Sequence, residues 1–305
     1  MMRAAALSGF GPPEVLRETD VEEPHAGSGQ VRVRVRAAGV LPFDVRVRGG
    51  WTPPFIKREF PLVLGNEFAG VVDETGEGVT SFTAGEEVLG YGVLGGYAEY
   101  VVVPAEQLVR KPAAMPWEVA AGFSGNGQGA HMALSTTGVH EGDTVLVNAA
   151  AGGFGTFSVQ LALAWGAGTV IGTASERNHD HLRALGAVPV TYGEGLVERV
   201  RAVAPDGVDA ALDAAGPEAL RASVELVKDR DRVVTMVATE EAAELGLRDV
   251  GGARSAERLA ELVELYERGK VTVHLREVYP LERAADAHRD VESGHGRGKV
   301  VLSIA

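Results

Sequence analysis

Valine and arginine alternate strictly over residues 30–36, Gln-Val-Arg-Val-Arg-Val-Arg. A period of two puts successive side chains on opposite faces of a strand, so this segment predicts a strand with one buried face and one solvated arginine face. Glycine and proline pairs recur at short intervals, as in Gly49-Gly50, Pro53-Pro54 and Gly95-Gly96. The first 116 residues are therefore predicted to form a compact β-rich domain with tight turns.

From about Trp117 the pattern changes to alternating strands and helices. An apolar run at 145–148 leads into a glycine-rich loop, apolar residues follow at helical spacing from Thr156 to Trp165, and 169–173 is again strand-like. Such alternation predicts a parallel sheet covered by helices on both faces, here over residues 117–269. Further strands are predicted at 189–192, 208–214 and 232–237, and further helices at 180–185, 196–203 and 217–227.

The C-terminal tail, residues 270–305, changes pattern once more. Strands are predicted at 271–273 and 299–302, with a helix at 281–291 between them. This segment is expected to rejoin the first domain. The chain is thus predicted to contain two domains, as its 305 residues also suggest.

Composition narrows the function class. The net charge of −13 disfavours nucleic acid, whose phosphates are held by Lys and Arg. No stretch approaches the roughly 20 apolar residues that a bilayer span needs, and the N-terminus lacks a signal-peptide pattern, so a cytoplasmic protein without a membrane partner is expected. Cysteine is absent, which excludes disulfides, a thiolate nucleophile and any cysteine-based zinc site.

The clearest binding motif is the loop Ala149-Ala150-Ala151-Gly152-Gly153-Phe154-Gly155. It follows a predicted buried strand and opens a helix, the context in which a glycine-rich string binds a dinucleotide. Glycine allows the backbone to approach a pyrophosphate, and the free N–H groups and positive end of the helix attract its charge. The alternative is an ordinary helix-capping turn that binds no ligand.

The end of the second strand predicts which cofactor is bound. An acidic residue there, about 20 residues after the loop, would select NAD through the ribose 2′-hydroxyl. The strand instead ends in Ala174 and Ser175, and Arg177 offers a guanidinium to a 2′-phosphate, so NADPH is predicted. If Glu176 rather than Ser175 faced the ribose, the preference would reverse. Glu176 and Arg177 could also be only a solvated helix start.

Several stretches carry a resemblance to a known family. They are 39–44 (Gly-Val-Leu-Pro-Phe-Asp), 64–72 (Leu-Gly-Asn-Glu-Phe-Ala-Gly-Val-Val), 96–100 (Gly-Tyr-Ala-Glu-Tyr), 141–147, the glycine loop and 296–302. Over nearly its full length the chain resembles the zinc-independent quinone oxidoreductases of the medium-chain dehydrogenase/reductase superfamily. The resemblance implies an α/β fold class: a GroES-like β-rich catalytic domain, 1–116 and 270–305, into which a Rossmann domain with a doubly wound parallel sheet, 117–269, is inserted.

The same resemblance implies roles for individual residues. Ala149 with Gly152, Gly153, Phe154 and Gly155 would hold the pyrophosphate. Ser175, Arg177 and Tyr192 would surround the 2′-phosphate, while Ala214 and Val237 would approach the nicotinamide. Zinc-dependent relatives carry metal ligands where this chain has Leu41 and Asn66, so no metal site is expected. A site without a Lewis acid suits hydride transfer to a quinone or to the β-carbon of an enone.

The chain departs from its family on the nicotinamide side. Leu41 replaces a usual Asn, and Gln128-Gly129-Ala130 replaces a usual Leu-Thr-Ala. Either polar residues of the segment 124–131 supply the missing donors, or the segment is a looser hinge whose polar groups are satisfied. The predicted catalytic residues are Asp44, Trp51 through its indole N–H, Asn126 and Gln128, with Tyr91 as a further acid candidate and His131 interpreted as structural. An Asp at a turn more often caps backbone groups, and the proton could come from solvent.

Residues 248–254 (Arg-Asp-Val-Gly-Gly-Ala-Arg) occupy the place of an apolar edge strand that pairs two subunits in the family. Glycine and charge are poor edge-strand residues, so a weaker or altered homodimer, or a monomer, is predicted. The function predicted from the sequence is an NADPH-dependent reductase of a small carbonyl or quinone substrate. The alternative is a protein of the same fold with a non-redox role, such as a cyclase, isomerase or dehydratase, or an NADPH-sensing binder.

Overall fold

A computed structural model describes residues 1–54, 56–294 and 296–304. These residues form two compact units. The first unit contains 1–125, 255–263 and the chain from Val273 onward; the second contains Asn126–Arg254 and Glu264–Thr272. The domain boundaries predicted after residues 116 and 269 remain predictions, and His295 and Ala305 of the predicted return segment lie outside the described residues.

The first unit is mainly β-structure. Its seven-stranded sheet has the order β14-β15-β3-β5-β6-β8 with β7 paired to β3, where β14 is Leu275–Pro280 and β15 is Lys299–Ser303. A smaller sheet has the order β2-β1-β4. The elements are β1 (Met2–Leu7), β2 (Leu16–Val21), β3 (Gln30–Val40), α1 (Pro42–Arg48), β4 (Leu62–Val63), β5 (Glu67–Thr75), β6 (Glu87–Tyr91), β7 (Tyr100–Pro104), β8 (Leu108–Arg110) and α2 (Trp117–Ala121).

The alternating segment 30–36 forms the predicted two-faced strand within β3. Val31, Val33 and Val35 are buried in the core of the unit, whereas Arg34 is exposed. Arg32 on the same face pairs with the carboxylates of Glu23, at 3.0 Å, and Asp73. The arginine row therefore forms the polar face of the strand, as predicted, but Arg32 is ion-paired and largely covered rather than solvated.

The second unit contains a five-stranded, wholly parallel sheet in the order β11-β10-β9-β12-β13. The order reverses between β9 and β12, which is the crevice where open α/β sheets bind ligands. This confirms the predicted Rossmann-type sheet. Its elements, with the helices that carry the chain between the units, are α3 (Ser124–Thr137), β9 (Thr144–Val147), α4 (Gly153–Ala164), β10 (Thr169–Ala174), α5 (His179–Ala184), β11 (Val188–Thr191), α6 (Leu196–Val203), β12 (Ala210–Asp213), α7 (Pro217–Leu226), β13 (Val233–Thr235), α8 (Thr239–Glu244) and α9 (Ala256–Glu267).

One predicted strand of the C-terminal tail differs from the structure. Residues 271–273 are not a strand. The backbone of Thr272 is held by the side chain of Gln160, which donates to the Thr272 carbonyl and accepts from its N–H, both at 3.0 Å. The strand begins later, as β14 (Leu275–Pro280), which pairs in parallel with β15 (Lys299–Ser303); α10 (Ala284–Glu292) lies between them in the sequence.

Residues 248–254 lie outside helices and strands, so β13 ends the sheet on that side. Gly251 N–H in this segment donates to Thr136 Oγ1 of α3 at 3.0 Å. The poor strand propensity read from glycine and charge is therefore confirmed, while the altered dimer remains a prediction. Among the described residues, no helix is both long and apolar enough to span a membrane.

Candidate cofactor site and the polar interior of the first unit

The glycine-rich loop connects the carboxyl end of β9 to the start of α4. Ala149 adopts φ +55°, the left-handed region, and is alone in this among the non-glycine residues described. Gly152 is extended, at φ −71° and ψ 171°, and precedes the first helical residue, Gly153. Its N–H donates to the Ala149 carbonyl at 3.0 Å, closing a tight turn. The loop thus turns sharply at the point where the helix begins.

Three buried polar side chains fix the start of this loop. Asn148 Nδ2 donates to Ser223 Oγ at 2.8 Å, and Thr173 Oγ1 donates to Asn148 Oδ1 at 3.1 Å. The Thr173 hydroxyl also accepts from Ala149 N–H at 3.2 Å. The sequence analysis missed Asn148, Thr173 and Ser223. The available signal was a polar residue at the end of an otherwise apolar strand, which usually marks a satisfied hydrogen-bond network.

Of two glycines in the loop, Gly155 has no room for a Cβ atom, whereas Gly152 has. A Cβ on Gly155 would lie 2.3 Å from the Ala149 carbonyl oxygen and 2.6 Å from Ala150 Cα, whereas one on Gly152 would lie 3.4 Å from that oxygen. Gly155 therefore lets α4 pack against the loop. The first N–H groups of this twelve-residue helix lack intrahelical partners, which favours an anion in front of Gly152.

Phe154 has a packing role rather than a polar one. A Cβ at Gly129 of α3 would lie 3.6 Å from both the Phe154 ring and the Met236 methyl group. Such a Cβ would make only ordinary van der Waals contacts, so the space at this position does not require glycine.

The predicted ribose residues lie on neighbouring strands. Ala174 of β10 pairs with Thr191 of β11, so the next residues, Ser175 and Tyr192, are adjacent across the sheet edge. Ser175 is half-buried and its Oγ accepts from Asn178 Nδ2 at 3.2 Å. Tyr192 is 55% exposed. Glu176 and Arg177, which belong to a short 3₁₀ turn, are also exposed.

The predicted nicotinamide residues follow β12 and β13. Ala214 is half-buried and Val237 is 53% exposed. Their backbone is held by two residues that the sequence analysis missed. Asp213 Oδ1 accepts from the N–H groups of the two residues after Ala214, at 3.0 and 3.2 Å, and Thr235 Oγ1 donates to Asp213 Oδ2 at 2.6 Å while accepting from Val237 N–H at 3.2 Å. Burial raises the pKa of Asp213 despite these donors.

In the first unit, Asp44 lies wholly inside the protein. Its Oδ2 accepts from Leu41 N–H, at 2.9 Å, and from the Tyr97 hydroxyl, at 3.1 Å. Burial raises the pKa of Asp44 to about 7, against the lowering effect of these donors. Asp44 therefore caps the start of α1, as the alternative for a turn aspartate predicts, and has no surface that could touch a substrate.

Trp51 is placed differently. Its side chain is 44% exposed, and the Arg46 guanidinium lies 4.0 Å from the centre of its rings. Phe43 packs edge-on against the Trp51 rings at 5.9 Å, and the backbone N–H of Trp51 donates to the Arg46 carbonyl at 3.1 Å. Tyr91, by contrast, is buried. Of the three acid candidates in this unit, Trp51 alone is exposed.

A buried ion pair that the sequence analysis missed lies beside the start of α3. Lys299 Nζ is 2.5 Å from Glu67 Oε1 and donates to the Val40 carbonyl at 2.9 Å, while Glu67 Oε2 accepts from Gly125 N–H at 2.5 Å. A Cβ on Gly39 would lie 2.3 Å from Glu67 Oε1. Gly39 thus leaves room for this carboxylate, and the pair ties together β3, β5, β15 and α3.

The polar segment 124–131 is helical and buried. Gly125 belongs to the first unit, where a Cβ would lie 2.7 Å from Leu41 Cδ1. Leu41, a departure from the family pattern, is therefore complementary in size to Gly125. Asn126 and Gln128 lie in the second unit and are buried. His131 packs edge-on against Trp165 at 4.9 Å, which agrees with a structural role.

At the position where zinc-dependent relatives carry a ligand, the Asn66 amide donates to the carbonyls of Gly92 and Val93, at 3.0 and 2.9 Å. Within residues 1–54, 56–294 and 296–304, no group of three or more His, Cys, Asp or Glu is arranged to hold a metal ion.

Comparison with known proteins agrees with this arrangement. The model of the alcohol dehydrogenase GroES-like domain matches residues 27–113, and that of zinc-binding dehydrogenases matches residues 185–302. The chain is 30% identical to mouse quinone oxidoreductase over 329 residues, covering 100% of this chain and 98% of that protein. It is 37% identical to a Burkholderia 2-haloacrylate reductase over 238 residues, 75% of this chain and 71% of the relative.

Solved structures give the same result. The quinone oxidoreductase from Coxiella burnetii superposes with a TM-score of 0.87 at 32% identity, covering 100% of this chain and 99% of that one. A mycobacterial protein solved in complex with NADPH superposes with a TM-score of 0.88 at 30% identity, over the whole of both chains.

Proposed function

Because the chain belongs to the medium-chain dehydrogenase/reductase superfamily, an oxidoreductase family that binds nicotinamide cofactors, we propose that it is a zinc-independent NADPH oxidoreductase. Its proposed substrate is a quinone or an α,β-unsaturated carbonyl compound. The observation that carries the proposal is the loop Ala149–Gly155, which lies where the strand order reverses and presents the start of α4. Relatives named for quinone and haloacrylate reduction support the substrate class.

The preference for NADPH is supported by the second strand. Thr173 directs its side chain to the loop residues Asn148 and Ala149. Side chains two residues apart share a face of an extended segment, so Ser175 faces the same side and Glu176 the opposite one. A hydroxyl rather than a carboxylate at this place accommodates a 2′-phosphate, and exposed Arg177 supplies a positive charge.

The residues present fit the cofactor. Space in front of Gly152 and the unpaired N–H groups of α4 would hold the pyrophosphate, and the backbone after Asp213 and Thr235 would bound the nicotinamide. When bound, NADPH supplies a hydride. In the first unit, Trp51 would offer an indole N–H to the carbonyl oxygen of the substrate. In the second unit, Asn126, which is 8% exposed, remains a candidate donor, whereas Gln128, like Asp44, has no exposed surface that could touch a substrate. With Asp44 buried, the proton is expected to come from solvent.

Independence from zinc is proposed from the residues themselves. The chain has no cysteine, Leu41 cannot bind a metal, and the Asn66 amide is engaged with two carbonyl groups. Hydride transfer to a conjugated carbonyl places developing charge on an oxygen that hydrogen-bond donors can stabilise without a metal. Chelator treatment is accordingly expected to leave activity unchanged.

The test is NADPH oxidation in the presence of a panel of quinones and a panel of acrylate-type and cyclic enones, with Trp51→Leu as the site variant. We expect turnover with at least one class and a lower kcat/KM in the variant. NADPH binding without oxidation by any member would exclude the redox assignment and favour a non-redox role or an NADPH sensor. Replacing Ser175 with Asp is expected to shift the preference toward NADH.

A further inference from the structure

Arg199 on α6 holds the backbone that follows β11. Its Nε donates to the Thr191 carbonyl at 2.9 Å, and its Nη2 lies 3.3 Å from the carbonyl oxygens of both Tyr192 and Gly193. One planar guanidinium therefore binds three successive carbonyl groups. A fork of N–H donors in one plane is the property that distinguishes Arg from Lys.

The bound segment needs such support. Gly193 and Gly195 adopt φ +90° and +75°, so the chain reverses sharply between β11 and α6. On the other side, the Thr191 hydroxyl lies 3.4 Å from His179 Nε2. The Gly193 carbonyl also accepts from Leu196 N–H at 3.0 Å, so the backbone and Arg199 hold this turn together.

The result is a fixed tyrosine at the proposed phosphate site. Tyr192 is 55% exposed, yet its backbone lies beside Ser175 through the pairing of Ala174 with Thr191. An exposed side chain loses rotamer entropy when it contacts a ligand. A backbone that is already fixed adds no further entropy loss, so binding is less unfavourable.

We propose that Arg199 is a positioning residue for cofactor choice, which acts through Tyr192 to favour the 2′-phosphate of NADPH. This inference rests on the proposed preference for NADPH and extends it to a residue outside the phosphate site. Arg199 does not itself contact the cofactor in this proposal. Its contribution is the geometry of the turn 191–193.

The experiment measures the dissociation constants of 2′,5′-ADP and 5′-AMP by calorimetry on the full chain. These two probes differ by the 2′-phosphate alone, so the ratio of their constants isolates its recognition. The variants are Arg199→Gln, Arg199→Lys, Tyr192→Ala and the double variant Tyr192→Ala/Arg199→Gln. Arg201→Gln is the matched control, because Arg201 lies on the same helix but pairs with Glu225 at 2.8 Å.

We expect both Arg199 variants to reduce the preference for 2′,5′-ADP about two- to fivefold, the range of a weak polar interaction near the surface. The Lys variant keeps the positive charge but not the planar fork of donors. A reduced preference for 2′,5′-ADP in this variant would therefore identify positioning, and not charge, as the cause. The control is expected to keep the wild-type ratio. In the Tyr192→Ala background, Arg199→Gln is expected to change nothing further.

Three results would overturn the inference: an unchanged ratio in the Arg199 variants, equal weakening of both probes, or full effects of Arg199→Gln in the Tyr192→Ala background. A wild-type protein that does not distinguish the probes would instead refute the NADPH preference on which the inference rests. If Arg199→Gln does not fold, Gly193→Ala disturbs the same turn through its positive φ while retaining Arg199, and the same ratio decides the question.

Discussion

The phosphate loop of the second unit and the polar interior of the first differ in the chemical groups that build them. In the loop, backbone groups and glycines shape a surface that is open to an anion, and neutral side chains such as Thr173 support it. In the first unit, ionisable side chains are buried: Glu67 pairs with Lys299, and Asp44 accepts a hydrogen bond from the Tyr97 hydroxyl. The contrast shows that burial and a displaced pKa do not by themselves mark a reactive group.

The buried groups of the first unit instead join elements that are distant in sequence. Glu67 and Lys299 connect β5, β15 and the start of α3, and Asp44 connects α1 to the segment of Tyr97. Their interactions should therefore appear mainly in stability, whereas those of the loop should appear in ligand binding.

Removal of Lys299 is the strongest test of this division. We expect Lys299→Met to lower the free energy of unfolding by about 3–5 kcal/mol, because it leaves the Glu67 carboxylate buried without its cation. Chemical denaturation measures the effect. The control, Lys228→Met, breaks an exposed pair with Asp209 and should cost about 1 kcal/mol or less. The double variant Glu67→Gln/Lys299→Met should recover part of the loss; equal losses for the two lysines would contradict a structural role for the buried pair.

The pH dependence of stability tests Asp44. Its pKa is about 7 in the folded protein against 3.8 in the reference state, so between these values the folded chain holds a proton that the unfolded chain has released. Stability from this group is therefore lost as pH rises through that window, by up to about 1.4 kcal/mol per pH unit. The difference in free energy of unfolding between pH 5 and pH 7 should be smaller in Asp44→Asn than in the wild type. A parallel pH response of the two proteins would show that Asp44 is ionised throughout.

Gly155 and Gly152 sharpen the comparison within the loop. Gly155→Ala should lower the free energy of unfolding by about 1–3 kcal/mol, since its Cβ would overlap the Ala149 carbonyl. In Gly152→Ala the new Cβ would make only an ordinary 3.4 Å contact, so the free energy of unfolding should change by no more than about 0.5 kcal/mol. The affinity for NADPH should nevertheless fall. Thermal unfolding with and without NADPH separates the two effects. The same loss of stability in both variants would argue against the assigned roles.

The smallest expected effect concerns Thr235. Replacing it with Val removes a donor to Asp213 and the acceptor for Val237 N–H, which should cost about 1–2 kcal/mol. Thr235→Ser keeps the hydroxyl and serves as the control in the same denaturation experiment. Because this network supports backbone near the proposed nicotinamide site, kcat should fall more than the affinity for NADPH. A change in affinity alone would place its role at another part of the cofactor.

Much of the second unit could be predicted from its sequence because its signals are local. The apolar run before Ala149, the glycines after it and the helical spacing beyond lie within about twenty residues, and the strand, turn and helix follow in that order. The same locality identified Ser175 at the end of the second strand, whereas Tyr192 was implied by the family resemblance. The sheet register places the two residues side by side. The strand predicted from Val271 to Val273 is absent, and the backbone of Thr272 is held there by a distant side chain, Gln160, which local patterns do not reveal.

By itself the sequence determined the periodicity of each segment, the glycine loop and the lack of cysteine, since each depends only on residue type and spacing. Tertiary structure alone decided that Asp44 is internal and Trp51 exposed, that Glu67 meets Lys299, and that Leu41 fills the space beside Gly125. These facts depend on which distant segments meet, and chain spacing carries no record of that. For the same reason, the contact of Arg199 with the Tyr192 carbonyl, seven residues earlier in the sequence, could be recognised only from the folded turn between them.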